Sequence, residues 1–214
     1  MDMGTTKYET NISYKYYWES LNDERSYISF LNQVREIYAT NPKTVLEIGV
    51  GNKLVYNHLK EIGIDVVSLD INKNVNPDCV GDVRKLPIKD GFFDTVCAFE
   101  VLEHIPFEYF EKALLELKRV SKKNVVISIP ILKTGFEVYM WLPKIHYLYF
   151  YFELPLLLKN KGVKDDDTAH YWDVNRIGFS KKKMLKIISK HFVIKKEFRP
   201  RLNKAHWFLV LENK

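Results

Sequence analysis

Apolar residues recur at three- and four-residue steps through Ile28, Leu31, Val34, Ile37 and Tyr38, the period of a helix with one buried face. Asn22 or Asp23 stands where a cap is needed, and Asn41-Pro42 ends the helix near Thr40. Beyond it short apolar runs alternate with helical ones. Strands are predicted at 44–49 (TVLEIG), at 65–69 (DVVSL, closed by Asp70), very briefly at 78–80, at 93–99 (FDTVCAF) and at 124–129 (NVVISI, stopped by Pro130). Helical segments fall near 53–62, ending at Gly63, and over 107–121, where Phe110, Ala113, Leu114, Leu117 and Val120 share a face. Glu108 and Glu111 open that second helix and Lys118 and Arg119 close it, as the helix dipole prefers.

Strands separated by helices of ten or more residues imply a parallel sheet covered on both faces. After Pro130 the alternation stops. Residues 131–170 form an insertion, with VYMWLPKIHYLYFYFELPLLL at 138–158 and then the polar run KNKGVKDDDTAH. Ser180 is placed to cap a helix over 181–190, and 192–198 with 206–211 read as an antiparallel hairpin that finishes the sheet. Residues 1–20 are Tyr-rich and polar without a clear period. The chain reads as one domain, 1–214. It divides into a helical and aromatic N-terminal cap (1–41), a cofactor-binding half (42–130), the aromatic insertion or lid (131–170) and a C-terminal helix with a hairpin (171–214).

A length of 214 residues, 46% hydrophobic and 28% charged, agrees with one globular domain and excludes a disordered chain. The two cysteines, Cys79 and Cys97, exclude a disulfide scaffold and point to a reducing, cytoplasmic setting. The first residues lack the apolar stretch of a secretory signal. No Cys/His cluster has zinc-ligand spacing, so no metal is expected. The net charge of +6 is uneven: residues 159–204 carry fourteen Lys or Arg against five Asp or Glu. That describes a basic C-terminal face rather than a nucleic-acid binder throughout.

The first chemical constellation is Glu47-Ile48-Gly49-Val50-Gly51-Asn52, between a strand and a helix. Glycines allow a sharp turn and close approach to a ligand, and the carboxyl ends of parallel strands are where such ligands sit. Asp70, nineteen residues after Gly51, ends the next strand, where a carboxylate can accept bonds from two ribose hydroxyls. Asp82 follows the third strand, in reach of an adenine amino group. A dinucleotide fingerprint wants a small residue where Leu54 stands, and it makes no use of a carboxylate at Glu47. A negative group there suits a ligand that carries positive charge and no phosphate, such as S-adenosylmethionine.

The segments V-L-E-I-G-V-G-N (45–52), S-L-D-I-N (68–72), G-D-V-R-K-L-P (81–87) and F-D-T-V-C-A-F-E-V-L-E-H-I-P (93–106) resemble class I S-adenosylmethionine-dependent methyltransferases, most of all the type 11 group. The resemblance is close over 42–130. It implies a Rossmann-like α/β fold, a seven-stranded, mostly parallel sheet with an antiparallel last strand and helices on both faces. It also implies S-adenosylmethionine as cofactor and S-adenosylhomocysteine as product. Glu47, Gly49 and Gly51 would line the methionine part, with Asn52 or Lys53 at its carboxylate. Asp70 would hold the ribose and Ile71 pack on the adenine, with Asp82 and Val83 at the adenine edge. Phe99, Glu100 and Val101 would lie beneath the cofactor. Lys53 departs from the family, which often has a third glycine there.

Methyl transfer to a hydroxyl needs a group that takes its proton, and alignment with exclusion of water supplies much of the rest. The catalytic candidates are His104, just past the fourth strand, and His170, in the run His170-Tyr171-Trp172-Asp173. A helix-entry role for His104 and a loop-packing role for His170 are the plainer alternatives. Glu103 reads as a loop-orienting residue and His206 as a structural residue of the last strand. Tyr14, Tyr16, Tyr17 and Trp18 are available to close the pocket.

The insertion has eight aromatics over 136–152, but Pro143, Lys144, Glu153 and Pro155 break it below spanning length. It reads as a lid over the acceptor, as a peripheral membrane contact through 138–158, or as a helical pair covering core. The expected partner is a small molecule or a glycan hydroxyl. RNA is disfavoured because helices cover the faces of the sheet. A non-catalytic binding module and a membrane-peripheral protein are the alternatives.

Overall fold

The computed structural model describes residues 10–144, 146–154 and 170–214. Residues 155–158 of the aromatic stretch and nearly all of the polar run after it lie outside the described residues. The N-terminal half holds α1 (Tyr14–Ser20), α2 (Glu24–Tyr38), β1 (Thr44–Ile48), α3 (Leu54–Glu61), β2 (Asp65–Asp70), β3 (Cys79–Val80) and β4 (Phe93–Phe99). Then come α4 (Phe110–Val120), β5 (Ser121–Pro130), β6 (Thr134–Leu142), β7 (His146–Leu154), α5 (Lys181–His191), β8 (Phe192–Phe198) and β9 (His206–Asn213).

Seven strands form one sheet in the order β3-β2-β1-β4-β5-β9-β8. β1 to β5 pair in parallel, and β9 runs antiparallel to both β5 and β8. This is the seven-stranded, mostly parallel sheet with a reversed last strand that the motifs imply. Successive residues of a strand point to opposite faces, and here both are buried. Leu46, Val96 and Val125 meet Leu114, Leu117 and Ile188 on the α4–α5 side. Val45, Cys97 and Val126 meet Ile37, Val55 and Leu59 on the α2–α3 side. The strand order reverses between β1 and β4, and the crevice at that switch point is where open α/β sheets take their ligands.

Two elements differ from the sequence expectation. The extent of α2 and its Asp23 cap agree, but its buried face does not: Leu31 and Tyr38 are exposed, while Ser29, Asn32, Gln33 and Glu36 are buried beside Ile37. The inward polar residues are satisfied across the interface. Glu36 pairs with Lys196 at 2.7 Å, and Ser29 Oγ lies 2.9 Å from His206 Nδ1. The residues before α2, where no period is visible, include the short helix α1, capped by Ser13.

Over its described residues the insertion is not a helical pair. β6 and β7 form a separate two-stranded hairpin, in register from Thr134↔Leu154 to Leu142↔His146. One face packs on the β8–β9 turn, where Glu137 accepts the amide of Leu202 at 2.7 Å and Arg199 donates to Tyr151 at 3.1 Å. β-branched and aromatic residues suit a strand, which is why this run extends instead of coiling.

Candidate active site

β1 ends at Ile48, and the chain turns back through Gly49 (φ +78°), Gly51 (φ +47°) and Lys53 (φ +59°) into α3. At Gly49 a Cβ would stand 2.3 Å from Val101 Cγ2, so the turn needs glycine for space as well as for its left-handed backbone. Lys53 also adopts a left-handed conformation, the physical reason a glycine suits that position. Its ammonium turns away to the carbonyl of Asn76. Asn52 caps the turn by accepting the amide of Leu54 at 3.1 Å.

A cavity of about 570 Å³ opens over these strand ends. It is lined by the residues assigned above to the cofactor other than Lys53: Glu47, Gly49, Gly51, Asn52, Asp70, Ile71, Asp82, Val83, Phe99, Glu100 and Val101. His104 and His170 line it as well. Lys53 does not. Tyr16 and Tyr17 of α1 line it, and Tyr14 reaches its rim by donating to the carbonyl of Asn52 at 3.1 Å. Trp18 is not in the lining, and no described residue of the β6–β7 hairpin is.

The charges of this cavity are set by burial. Glu47 is 4% exposed, one of its oxygens has no hydrogen-bond partner, and desolvation with the nearby charge of Asp70 raises its pKa to about 8. Burial also raises Asp70, against the pull of backbone amides that include Asn72 N–H at 2.8 Å. Glu47 is thus a buried carboxylate with an unmet oxygen, the setting that a cationic ligand would relieve. Asp82 differs. Burial pushes its pKa up, but the buried guanidinium of Arg84, with Nε at 2.9 Å from both oxygens, holds it below the usual value.

Glu100, His104, His170 and His206 also line the cavity. Glu100 follows β4 with a left-handed backbone (φ +53°) and accepts from Ser128 Oγ at 2.6 Å. Its other neighbour is His206, whose Nδ1 lies 3.6 Å from the carboxylate. His104 and His170 meet edge to face with ring centres 4.8 Å apart. His170 Nδ1 lies 2.8 Å from Asp173 Oδ1, which fixes the proton there and leaves Nε2 as the basic nitrogen. Glu103 is fully buried behind them, its pKa raised well above normal by desolvation and by the charge of Glu100.

The loop that carries His170 is pinned by its neighbours. Tyr171 N–H donates to the carbonyl of Glu103 at 2.8 Å, Trp172 Nε1 to that of Ile105 at 2.9 Å, and Val174 N–H to that of Pro130 at 3.0 Å. His170-Tyr171-Trp172-Asp173 therefore packs core through Trp172 while presenting His170 to the cavity.

Sequence reasoning missed the wall made by α2. Ser29 and Gln33 line the cavity, and the stripe of polar residues Ser29, Gln33 and Glu36 at helical spacing is the available signal. His206, a residue of the last strand, also lines the cavity while its ring ties β9 to Ser29. That position was not legible, because β9 meets the end of β5 only through tertiary pairing.

Residues 46–129 match the family described as a methyltransferase domain. Among solved structures the chain is similar to an S-adenosylmethionine-dependent methyltransferase from Archaeoglobus fulgidus (15% identity, TM-score 0.62, covering 94% of this chain and 99% of that one). It is also similar to magnesium protoporphyrin IX methyltransferase from Synechocystis, crystallised with S-adenosylhomocysteine (14%, TM-score 0.61, 94% of both chains). A third is the 1,6-didemethyltoxoflavin-N1-methyltransferase of Burkholderia thailandensis (13%, TM-score 0.56, 94% and 87%). No curated protein matches the sequence.

Proposed function

We propose that this protein is an S-adenosylmethionine-dependent methyltransferase acting on a hydroxyl of a small molecule or glycan. The observation that carries the reading is one cavity lined both by the buried carboxylates Glu47 and Asp70, the first with an unpartnered oxygen, and by His104, His170, Glu100 and His206. Glu47 suits the cationic methionine end of the cofactor and Asp70 its ribose hydroxyls. S-adenosylmethionine would supply an activated methyl group whose sulfur leaves as a neutral thioether. With no ion bound, His170, oriented by Asp173, is the group placed to take the hydroxyl proton, and His104 positions its ring. Tyr16, Tyr17 and Phe30 keep water from the cleft.

The test is calorimetric titration with S-adenosylhomocysteine, with NADH as the comparison. Micromolar binding of the former alone is expected. Asp70→Ala should weaken it at least about tenfold by removing charge-assisted bonds, with the far-ultraviolet spectrum unchanged. Equal affinity in the variant would overturn the ribose assignment.

A specific observation favours a second, compatible role for the insertion, peripheral contact with a membrane. In the hairpin register Phe136, Val138, Met140 and Leu142 share a face with Leu148, Phe150, Phe152 and Leu154, an unbroken apolar surface. Six of these are exposed by 37% or more. Arg199, Arg201 and Lys204 lie on the adjoining turn. Amphipathic surfaces with flanking basic groups bind lipid interfaces, and no helix among the described residues is long and apolar enough to cross a membrane. Phe136→Ser with Phe150→Ser should abolish sedimentation with anionic vesicles. If the unaltered protein stays in the supernatant, this role is wrong.

A further inference from the structure

We propose that Glu103, His104 and His170 form a binding site for one divalent first-row transition-metal ion at the acceptor end of the cavity. The ligand atoms of the three side chains lie within 4.8 Å of one another, although His170 is sixty-six residues from His104 in sequence. A coordinated set needs neighbouring ligand atoms about 3–3.5 Å apart, so modest side-chain rotation closes it.

Three further observations point to a ligand. Glu103 is 0% exposed, its carboxylate oxygens have no hydrogen bond of good geometry among the described residues, and the charged groups acting on it are the carboxylates of Glu100 and Asp173. A buried carboxylate left that way is costly unless something positive meets it. His170 already has the second shell of a metal-bound histidine, its Nδ1 held at 2.8 Å by the 3%-exposed Asp173 with Nε2 left over. His104 and His170 both line the cavity, so an ion held by them keeps open positions toward it. The loop is fixed on the Glu103 side by the Tyr171 amide and the Trp172 indole, which makes the juxtaposition a feature of the fold. Two imidazoles and one carboxylate suit Zn²⁺ or Mn²⁺ better than Mg²⁺, which prefers oxygen ligands.

The role of the ion rests on the methyltransferase reading, but its binding does not. A hydroxyl oxygen drawn to the ion loses its proton to water more readily. That oxygen then forms the bond to the methyl carbon as the carbon–sulfur bond breaks and its electron pair remains on sulfur. In this arrangement the His170 nitrogen serves as a metal ligand and no longer as the base.

The test uses tag-free full-length protein, stripped with a chelator and titrated calorimetrically with Zn²⁺, Mn²⁺ and Mg²⁺. One site of micromolar affinity is expected for Zn²⁺ or Mn²⁺ and at least tenfold weaker binding for Mg²⁺. Glu103→Gln, which keeps the side-chain shape, and His170→Asn should each weaken binding by tenfold or more. His58→Ala, on the exposed face of α3, should leave it unchanged. Absence of binding, or affinity indifferent to Glu103→Gln and His170→Asn in folded protein, overturns the site. S-adenosylhomocysteine titrated into the same samples separates the two readings: metal binding without nucleoside binding keeps the site and removes its assigned role.

Discussion

Replacing Glu47 with Gln should make the ligand-free protein more stable in mild alkali and a worse binder of S-adenosylhomocysteine. The carboxyl is buried at the end of β1, one oxygen is unpartnered, and its pKa is raised to about 8 by desolvation and then by Asp70. Below pH 4.5 it is protonated in folded and unfolded chains alike. Between 4.5 and about 8 only the folded chain keeps the proton, so stability falls as pH rises through that window. Above it the folded chain is also ionised and the burial penalty is complete, roughly 5 kcal/mol at most. Glutamine carries no charge to bury but leaves a polar amide there, which costs about 1–3 kcal/mol. The net gain of about 2–4 kcal/mol corresponds to roughly 5–15 °C in melting temperature at pH 8.5, and to little at pH 5.

Ligand binding should move the other way. A cationic group against Glu47 favours the ionised form, so the affinity of the unaltered protein for S-adenosylhomocysteine rises between pH 6 and 8, by at most about tenfold per unit. Glu47→Gln should flatten that dependence and weaken binding about 10- to 100-fold at pH 8. Thermal melts and calorimetry at three pH values check both halves. A variant that melts with the unaltered protein at pH 8.5, or keeps its pH slope, would show that Glu47 is not the buried charge that awaits the ligand.

Trp172→Ala should cost about 3–5 kcal/mol, or roughly 6–20 °C in melting temperature. Trp172 is 1% exposed, meets Phe107 and Phe110 edge to face at 5.3 and 5.2 Å, and donates to the carbonyl of Ile105 at 2.9 Å. Truncation leaves a large cavity and an unpaired carbonyl in the same place. It also unfastens the loop that sets His170 beside His104, so acceptor methylation should fall further than stability explains. S-adenosylhomocysteine binding, held by β1, β2 and the glycine turn, should survive below the melting transition. Trp172→Phe fills much of the space without the indole N–H and should recover more than half of the stability. If Trp172→Ala melts within 2–3 °C of the unaltered protein, the indole does not clamp the loop.

The chain's local patterns determined the strands β1 to β5, α3 to α5, the β8–β9 hairpin and the residues that line the cavity at the strand ends. The reason is that these features are local. Val45 and Leu46 alternate between two buried faces over a few residues, and Glu47, Gly49 and Gly51 form one turn whose backbone demands glycine. Asp70 is fixed by its place at a strand end. Only the tertiary structure decided which distant residues join them in the cavity. His206 arrives there because β9 pairs antiparallel with β5, and Ser29 and Gln33 because α2 turns its polar stripe inward to meet it. The meeting of Glu103, His104 and His170 follows from a backbone bond between Tyr171 and Glu103 that no sequence period announces. The aromatic insertion shows the same limit from the other side. Its composition favours a strand as readily as a buried helix, and the cross-strand register and the β8–β9 turn make it a hairpin beside the cavity. Backbone periodicity is written within a dozen residues; which side chains share a cavity depends on how distant elements dock.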